Sequence, residues 1–213
     1  MSKIWFVTGS SRGFGRQFVG AALDRGDKVV ATDRNTDSLA DLVAVHGESL
    51  LPLVLDVTDR AAVIEAVERA HEHFGRLDVV VNNAGHGLPG ALEERAEQQV
   101  RAGFETNFFG ALWLVQAVLP ILCQQGSGHI VQISTAGGVS DLPAVDGHSA
   151  SRWALEGLTE ALALEAAGFG IKVTLVEPDD FAADRPITAG PALLKIVDAE
   201  NPPLRAYLDT SPL

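Results

Sequence analysis

A single-domain α/β fold built on a doubly wound parallel sheet is predicted for this 213-residue chain by three observations. Short apolar runs rich in β-formers alternate with amphipathic helical stretches along the chain. Glycine or an acidic or amide residue punctuates the run ends, where strands should hand over to helices. No linker, repeat or composition shift divides the chain, so residues 1–213 form one domain with right-handed crossovers.

The elements follow in order. Lys3 to Thr8 reads as the first strand, and Gly9, Gly13 and Gly15 follow it before Phe18, Val19, Ala22 and Leu23 recur at helical spacing. Glycines in a strand–turn–helix let the backbone take positive φ and approach a ligand, while the helix N-terminus attracts an anion such as a pyrophosphate. Gly26 ends that helix, and Lys28 to Thr32 closes a βαβ unit with Asp33 and Arg34 at its end. Asp33 suits a ribose diol and so NAD, whereas Arg34 suits the 2′-phosphate of NADP; a slight lean to NAD follows from Asp33 coming first. The pair also reads as a surface ion pair.

Leu39 to Val45 is predicted helical, Leu50 to Leu55 a strand ending at Asp56, and Ala61 to Phe74 a helix stopped by Gly75. His71 and His73, two apart on that helix, face different directions and make no chelating pair. Leu77 to Val81 is the fourth strand, followed by the polar turn Asn82-Asn83-Ala84-Gly85 and by His86, which reads as a surface loop residue with bordering the pocket as the alternative. Glu97 to Leu122 carries an apolar stripe at Val100, Phe104, Phe108, Leu112, Val115 and Leu119, interrupted by Asn107. A buried amide there is either structurally satisfied or part of a site. Gly128 to Ile133 is the fifth strand, ending at Ser134; Ser149 to Ala167 is a helix and Ile171 to Val176 the sixth strand, before Pro178. Residues 181–213 read as an irregular C-terminal tail with one helical run, Ala192 to Val197.

Composition narrows the partners. Sixteen Lys and Arg against 28 Asp and Glu give a net charge of -12, which repels nucleic acid and anionic lipid surfaces. The mean hydropathy of +0.15 describes an ordinary globule. Cys123, the single cysteine, lies in an apolar run and reads as a buried, inert thiol. With no signal core and no segment expected to span a bilayer, the chain is expected to be cytoplasmic and to act on a small molecule.

Between Gly147 and Gly157, helical spacing puts His148 and Arg152 on one face, a candidate chemical centre. The same pair also reads as two unrelated polar residues on a solvated helix start.

Taken together, Thr8-Gly9-Ser10-Ser11-Arg12-Gly13-Phe14-Gly15, Asp56, Asn82-Asn83-Ala84-Gly85, Asn107, Ser134 and the strand ending in Pro178 resemble the short-chain dehydrogenase/reductase family over residues 3 to 185. The resemblance implies a Rossmann-type fold, binding of NAD or NADP, and a homodimer or homotetramer joined through the stretches Glu97 to Leu122 and Ser149 to Ala167. It implies that Gly9, Ser11, Arg12, Gly13, Phe14 and Gly15 hold the pyrophosphate and Asp33 or Arg34 the adenosine ribose. Asp56 and Val57 would hold the adenine, and Asn83, Ala84, Gly85 and Pro178 would border the nicotinamide. Asn107 would hold a water relay and Ser134 would orient the substrate oxygen.

The sequence also departs from that pattern. His148 and Arg152 stand where the family has a reactive Tyr and Lys, and Pro178, Asp179 and Ala183 replace a Pro-Gly and a later Thr. Near Arg185 to Pro191 the family carries several tens of residues of substrate-covering helices, so a shortened lid is expected. Arg152 supplies charge but cannot lose a proton to continue a relay, whereas His148 titrates near neutrality. Three activities remain open: an oxidoreductase of a small carbonyl or alcohol with His148 as proton donor; a lyase, isomerase or cyclase using His148, Ser134 and Asp179; or a binding or regulatory protein without turnover.

Overall fold

A computed structural model describes residues 2–87, 94–134, 146–178 and 189–208, with side chains at 146–149 excluded. One seven-stranded sheet runs through it in the order β3-β2-β1-β4-β5-β6-β7, every neighbouring pair parallel. The strands are β1 (Ile4–Thr8), β2 (Lys28–Asp33), β3 (Leu50–Val54), β4 (Val79–Asn82), β5 (Gly128–Ile133), β6 (Ile171–Pro178) and β7 (Arg205–Leu208). The order reverses between β1 and β4, which opens a crevice at their carboxyl ends, the usual ligand position in such sheets.

Alternation along the strands divides the core into two layers. Ile4 and Phe6 of β1 face the side covered by α3 (Arg60–Phe74), α5 (Ala111–Gln125) and the end of α6 (Asp146–Ala166), through Val63, Val67, Leu114, Val118, Leu122 and Leu162. Trp5 and Val7 face the opposite side, against Phe18, Val19 and Leu23 of α1 (Gly13–Asp24) and Leu193 and Val197 of α7 (Ala189–Asp198). The strands buried on both faces therefore read as continuous apolar runs. Asp59 caps α3 by accepting from the Ala61 and Ala62 N–H groups, and Gly75 ends it with a φ of 79°.

The structure corrects the sequence reading in three places. The tail is not irregular where it is described: α7 is longer than the run Ala192 to Val197, and β7 pairs in parallel with β6. Gly190 makes this docking possible, since a Cβ there would sit 2.7 Å from Ala21 Cβ on α1. The helix expected over Glu97 to Leu122 is three segments, α4 (Glu97–Phe104), a π-helical turn (Glu105–Gly110) and α5. A π-turn holds extra backbone and rotates everything after it. The buried face of α5 is accordingly Ala111, Leu114, Val115, Val118 and Leu122 rather than the stripe through Leu112 and Leu119.

Finally, Glu97–Gln125 is by length and composition apolar enough to cross a membrane, with an 18-residue window of mean hydropathy 1.6. The expectation that no segment could span a bilayer does not hold for it. Its apolarity has another use here, because Leu114, Val115, Val118 and Leu122 fill the core beneath the sheet.

His129 on β5 is buried against β6, its Nε2 2.9 Å from Thr174 Oγ1, whose own hydroxyl donates to the Pro203 carbonyl. Nε2 must therefore donate, and Nδ1 is left without a partner. Burial first, then the charges of Lys172 and Lys3, push its pKa from 6.5 down to about 4. The folded chain thus binds fewer protons than the unfolded one between those values, and stability contributed by neutral His129 is lost as pH falls through that window. In His129→Gln the thermal unfolding midpoint should be lower at neutral pH but should fall less than in the wild type between pH 6.5 and 4. An unchanged acid slope would show that other groups carry it.

Candidate active site

The crevice between β1 and β4 is built by side chains that pin two strand ends together. Asn83 Nδ2 donates to the carbonyls of Thr8 and Gly9, each at 2.9 Å. Thr8 Oγ1 accepts from the N–H groups of Asn83 and Ala84, each at 3.0 Å. Asn83 is thus committed to holding the glycine turn in place. Gly9 and Gly13 take φ of 68° and 54°, conformations that other residues rarely adopt. Gly15 is excluded from bearing a side chain by contact, since a Cβ would meet Gly9 O at 2.0 Å and Asn83 Nδ2 at 2.6 Å.

Beyond the turn, α1 begins at Gly13 with no side-chain cap and no acidic residue in its first turn. Its leading N–H groups are therefore offered to an anion. Phe14, the next residue, stacks on Phe18. Ser11 N–H donates to Asp33 Oδ2 at 3.1 Å and the Arg34 N–H to Asp33 Oδ1 at 2.7 Å, so the β2 carboxylate braces the same turn. Arg12 and Arg34 are exposed beside it, and among the described residues neither makes a side-chain hydrogen bond or ion pair. Asp56 accepts from Thr58 N–H and hydroxyl, and is held below the usual carboxylate range first by that N–H, then by the hydroxyl and the Arg34 charge, against desolvation. Val57 follows it, buried against Gly110 of the π-turn, where a Cβ would lie 2.7 Å from Val57 Cγ2.

A second group converges after β4. Asn107, on the π-turn, accepts the His86 N–H through Oδ1 at 3.0 Å and donates through Nδ2 to the His86 carbonyl and to Ser151 Oγ. It joins the loop after β4 to α6. Arg152, 3% exposed, presses against Gly85, where a Cβ would fall 2.3 Å from its Nη2, and its Nη1 donates to the Ile133 carbonyl. Its Nε has no partner, and among the described residues no carboxylate forms an ion pair with it. Burial pushes the pKa of this guanidinium down to about 10, opposed by the charge of Glu156, so it stays cationic at neutral pH. His86 is exposed on the loop after β4, and desolvation, then the charges of Arg34 and Arg152, lower its pKa. Its exposure agrees with the surface loop position expected from the sequence, while its backbone is tied to Asn107.

Asn107, Gly85 and Arg152 are therefore brought together. Ser134 is not presented to that group: it is fully buried and its Oγ donates to Glu156 Oε1 at 2.9 Å. Pro178 is buried at the end of β6. The backbone of His148 lies in α6, one turn before Arg152, but its side chain lies outside the described residues, as do Asp179 and Ala183. Ten residues separate Pro178 from Ala189, too few for a lid of several tens. Among the described residues no cluster of His, Cys, Asp or Glu is arranged to hold a metal. Sequence reasoning missed Glu156, Glu177, Ser151 and Arg205. The carboxylates carried a signal, because Glu156 follows Arg152 by one turn on a face shared with apolar residues, where a charge demands a partner.

The residues fit a dinucleotide: a glycine cradle that a Cβ at Gly9 or Gly15 would fill, uncapped helix N–H groups, two arginines with no side-chain partner among the described residues, and a buried cation with an orphaned donor. Gly15→Ala should destabilise the fold by about 1–3 kcal/mol in denaturant titration, since the clash is with backbone. Gly20→Ala, on the same helix with nothing within 4 Å, should be neutral or stabilising. Equal effects of the two would contradict the cradle geometry.

Comparison with known proteins agrees with this arrangement. Residues 3–188 match the family model for short chain dehydrogenases. Oxidoreductase BOA17 of Botryotinia fuckeliana is 46% identical over 185 residues, 86% of this chain and 68% of that protein. The chain spans 64% of the length of another curated relative, a 3-ketodihydrosphingosine reductase of Bacteroides thetaiotaomicron, at 41% identity over 84% of its own length. A short-chain dehydrogenase from Streptomyces avermitilis superimposes with a TM-score of 0.93 at 37% identity, covering 98% of this chain and 88% of that one. A metagenomic short-chain oxidoreductase solved in complex with NADP gives 0.89 at 25% identity, covering 98% and 97%. With its parallel sheet, its glycine turn and these relatives, the chain belongs to the short-chain dehydrogenase family of NAD(P)-binding oxidoreductases.

Proposed function

We propose that the chain is an NADP(H)-dependent oxidoreductase acting on a small carbonyl or alcohol compound, with His148 taking the place of the proton donor. The observation that carries this reading is Arg152, a buried cation with no described carboxylate ion pair, its Nε unpartnered, at the edge of the glycine cradle. A buried guanidinium with an unpartnered donor is costly, so such a group is retained where a ligand completes it.

A bound nicotinamide cofactor supplies the hydride. The chain's own residues do the rest. The α1 N–H groups bind the pyrophosphate, and Arg152 donates to the ribose beside the nicotinamide. His148, four residues before Arg152 on the same helix, exchanges a proton with the substrate oxygen. Asn107 holds the loop after β4 against Ser151, fixing the distance between cradle and helix.

Asp33 considered alone favours NAD, but both its oxygens already accept backbone N–H groups. Among the described residues Arg12 and Arg34 beside it have no ion pair, in a chain of net charge -12, which supports a 2′-phosphate and so NADP.

Nicotinamide fluorescence should show NADPH binding at least about tenfold tighter than NADH, and Arg34→Ala should lose that difference. His148→Ala should bind NADPH normally yet oxidise none of it against a carbonyl panel. A full rate in that variant would remove His148 from the mechanism. Binding without turnover in the wild type would favour a regulatory protein, and binding of neither nucleotide would overturn the reading.

Self-association through α4–α5 and α6 is part of the same proposal. Trp153 and Leu164 are exposed on α6, and Phe109 stacks on Trp113 at 5.8 Å on the partly covered side of α5. Light scattering should give a dimer or tetramer; a monomer that Trp153→Glu does not change would exclude this interface.

A further inference from the structure

Behind the sheet edge lies a charge cluster that the proposed reaction does not use. Arg205 of β7 donates through Nη1 to Glu156 Oε2 at 2.8 Å and Glu177 Oε1 at 2.9 Å, and through Nη2 to Glu160 Oε1 at 2.7 Å. Glu156 and Glu177 are each 2% exposed, whereas Glu160 is more than half exposed and largely screened by water. Glu156 also accepts the Ser134 hydroxyl at the end of β5. One guanidinium thus organises α6, β5, β6 and β7 just beneath the residues that lead to the candidate site.

The signs of these charges do not balance within the cluster. Two buried carboxylates, Glu156 and Glu177, face one arginine. The missing positive charge is Arg152, one helical turn before Glu156 and within reach of its field. Buried charges are tolerated when they are paired, and removing one partner leaves the other uncompensated. Glu156 therefore stands between two guanidinium groups, one in the candidate site and one on the edge strand.

We propose that Arg152, Glu156, Arg205 and Glu177 form a single charge-balanced chain from the site to β7, in which Glu156 and Arg205 are positioning residues that keep Arg152 charged and aimed at the bound nucleotide. This rests on the reading of Arg152 as a nucleotide-binding group. The chain crosses α6, β6 and β7, so its energy is available only when β7 has docked on β6. That gives β7 a role in the site although no atom of β7 is placed in the glycine turn.

The groups facing Glu156 are Ser134 on β5, Glu177 on β6, Arg205 on β7, and Arg152 and Glu160 on its own helix. Loss of Arg205 leaves its carboxylate with one neighbour of opposite charge, Arg152, and two of like charge, Glu177 and the more exposed Glu160. It then takes up a proton nearer neutrality or draws the Arg152 guanidinium away from Gly85. Either outcome reaches the nucleotide.

The test is NADPH titration by fluorescence with Arg205→Leu, Arg205→Lys and Glu156→Gln, each checked for folding by its unfolding midpoint. Arg205→Leu and Glu156→Gln should weaken NADPH binding by about tenfold or more, and Arg205→Lys should recover to within about threefold of the wild type. Binding in Arg205→Leu should also become pH-dependent between pH 6 and 9, a change that a merely structural contact would not produce. Wild-type affinity and a flat profile in a folded Arg205→Leu would overturn the proposal. Should Arg205→Leu not fold, Glu156→Gln carries the same comparison, because its amide keeps the volume and loses the charge.

A ligand-free measurement separates this proposal from the one it rests on. Arg152→Met and Arg205→Leu, whose side chains share no hydrogen bond, should affect the unfolding equilibrium non-additively by about tenfold, and the coupling should vanish in a Glu156→Gln background. If the wild type binds neither nucleotide, the functional reading fails. The charge chain is then upheld by non-additive variants and rejected by additive ones.

Discussion

The hydrogen bonds between Asn83 and the end of β1 are the constraint on which the rest of the site depends. A parallel sheet whose order reverses between β1 and β4 leaves its two central strand ends without a helix crossing over them. That crevice is useful only if its two lips keep a fixed separation. Asn83 and Ala84 fix it with four bonds donated to Thr8 and Gly9, so the glycine turn is held from the neighbouring strand end as well as by its own backbone. Gly15 then has to be glycine because Asn83 and Gly9 already occupy the space its side chain would fill. Asn107 repeats the device one layer out, tying the loop after β4 to α6.

Electrostatics follow the same organisation. The chain carries a net charge of -12, and several of its arginines are matched to carboxylates, as Arg16 is to Asp41, Arg25 to Asp27 and Asp198, and Arg76 to Asp78. The exceptions at the crevice are Arg12, Arg34 and Arg152. A local positive spot on an acidic molecule concentrates anionic ligands at one place and discourages polyanions elsewhere. The price is a desolvated guanidinium at Arg152, and Glu156 with Arg205 behind it offsets part of that cost.

Much of this was legible in the residues because it is written in local patterns. Strand positions followed from apolar runs, helix ends from Gly26 and Gly75, and the ligand edge from the glycines after β1 and the amides after β4. What was not legible depends on how side chains from distant positions meet. Asn83 reads as a ligand contact in sequence but spends its amide on Thr8 and Gly9, 75 and 74 residues away. Ser134 ends the right strand, yet strand alternation turns its hydroxyl toward Glu156. The π-turn at Glu105–Gly110 carries no composition signal, so the stripe on α5 was assigned one residue out of phase.

The sequence by itself determined the fold class and the edge at which a dinucleotide is received, because alternating periodicity and glycine placement are short-range properties of the chain. It also determined that His148 and Arg152 stand one helical turn apart, since that is a matter of counting along a helix. Only the tertiary structure decided that Arg152 is buried without a described carboxylate ion pair, that Asp33 braces the turn from β2, and that Arg205 closes the cluster from β7. Those features need contacts across 22 to 49 residues of chain. Burial and pairing of charge are properties of the packed molecule, so no local pattern can carry them.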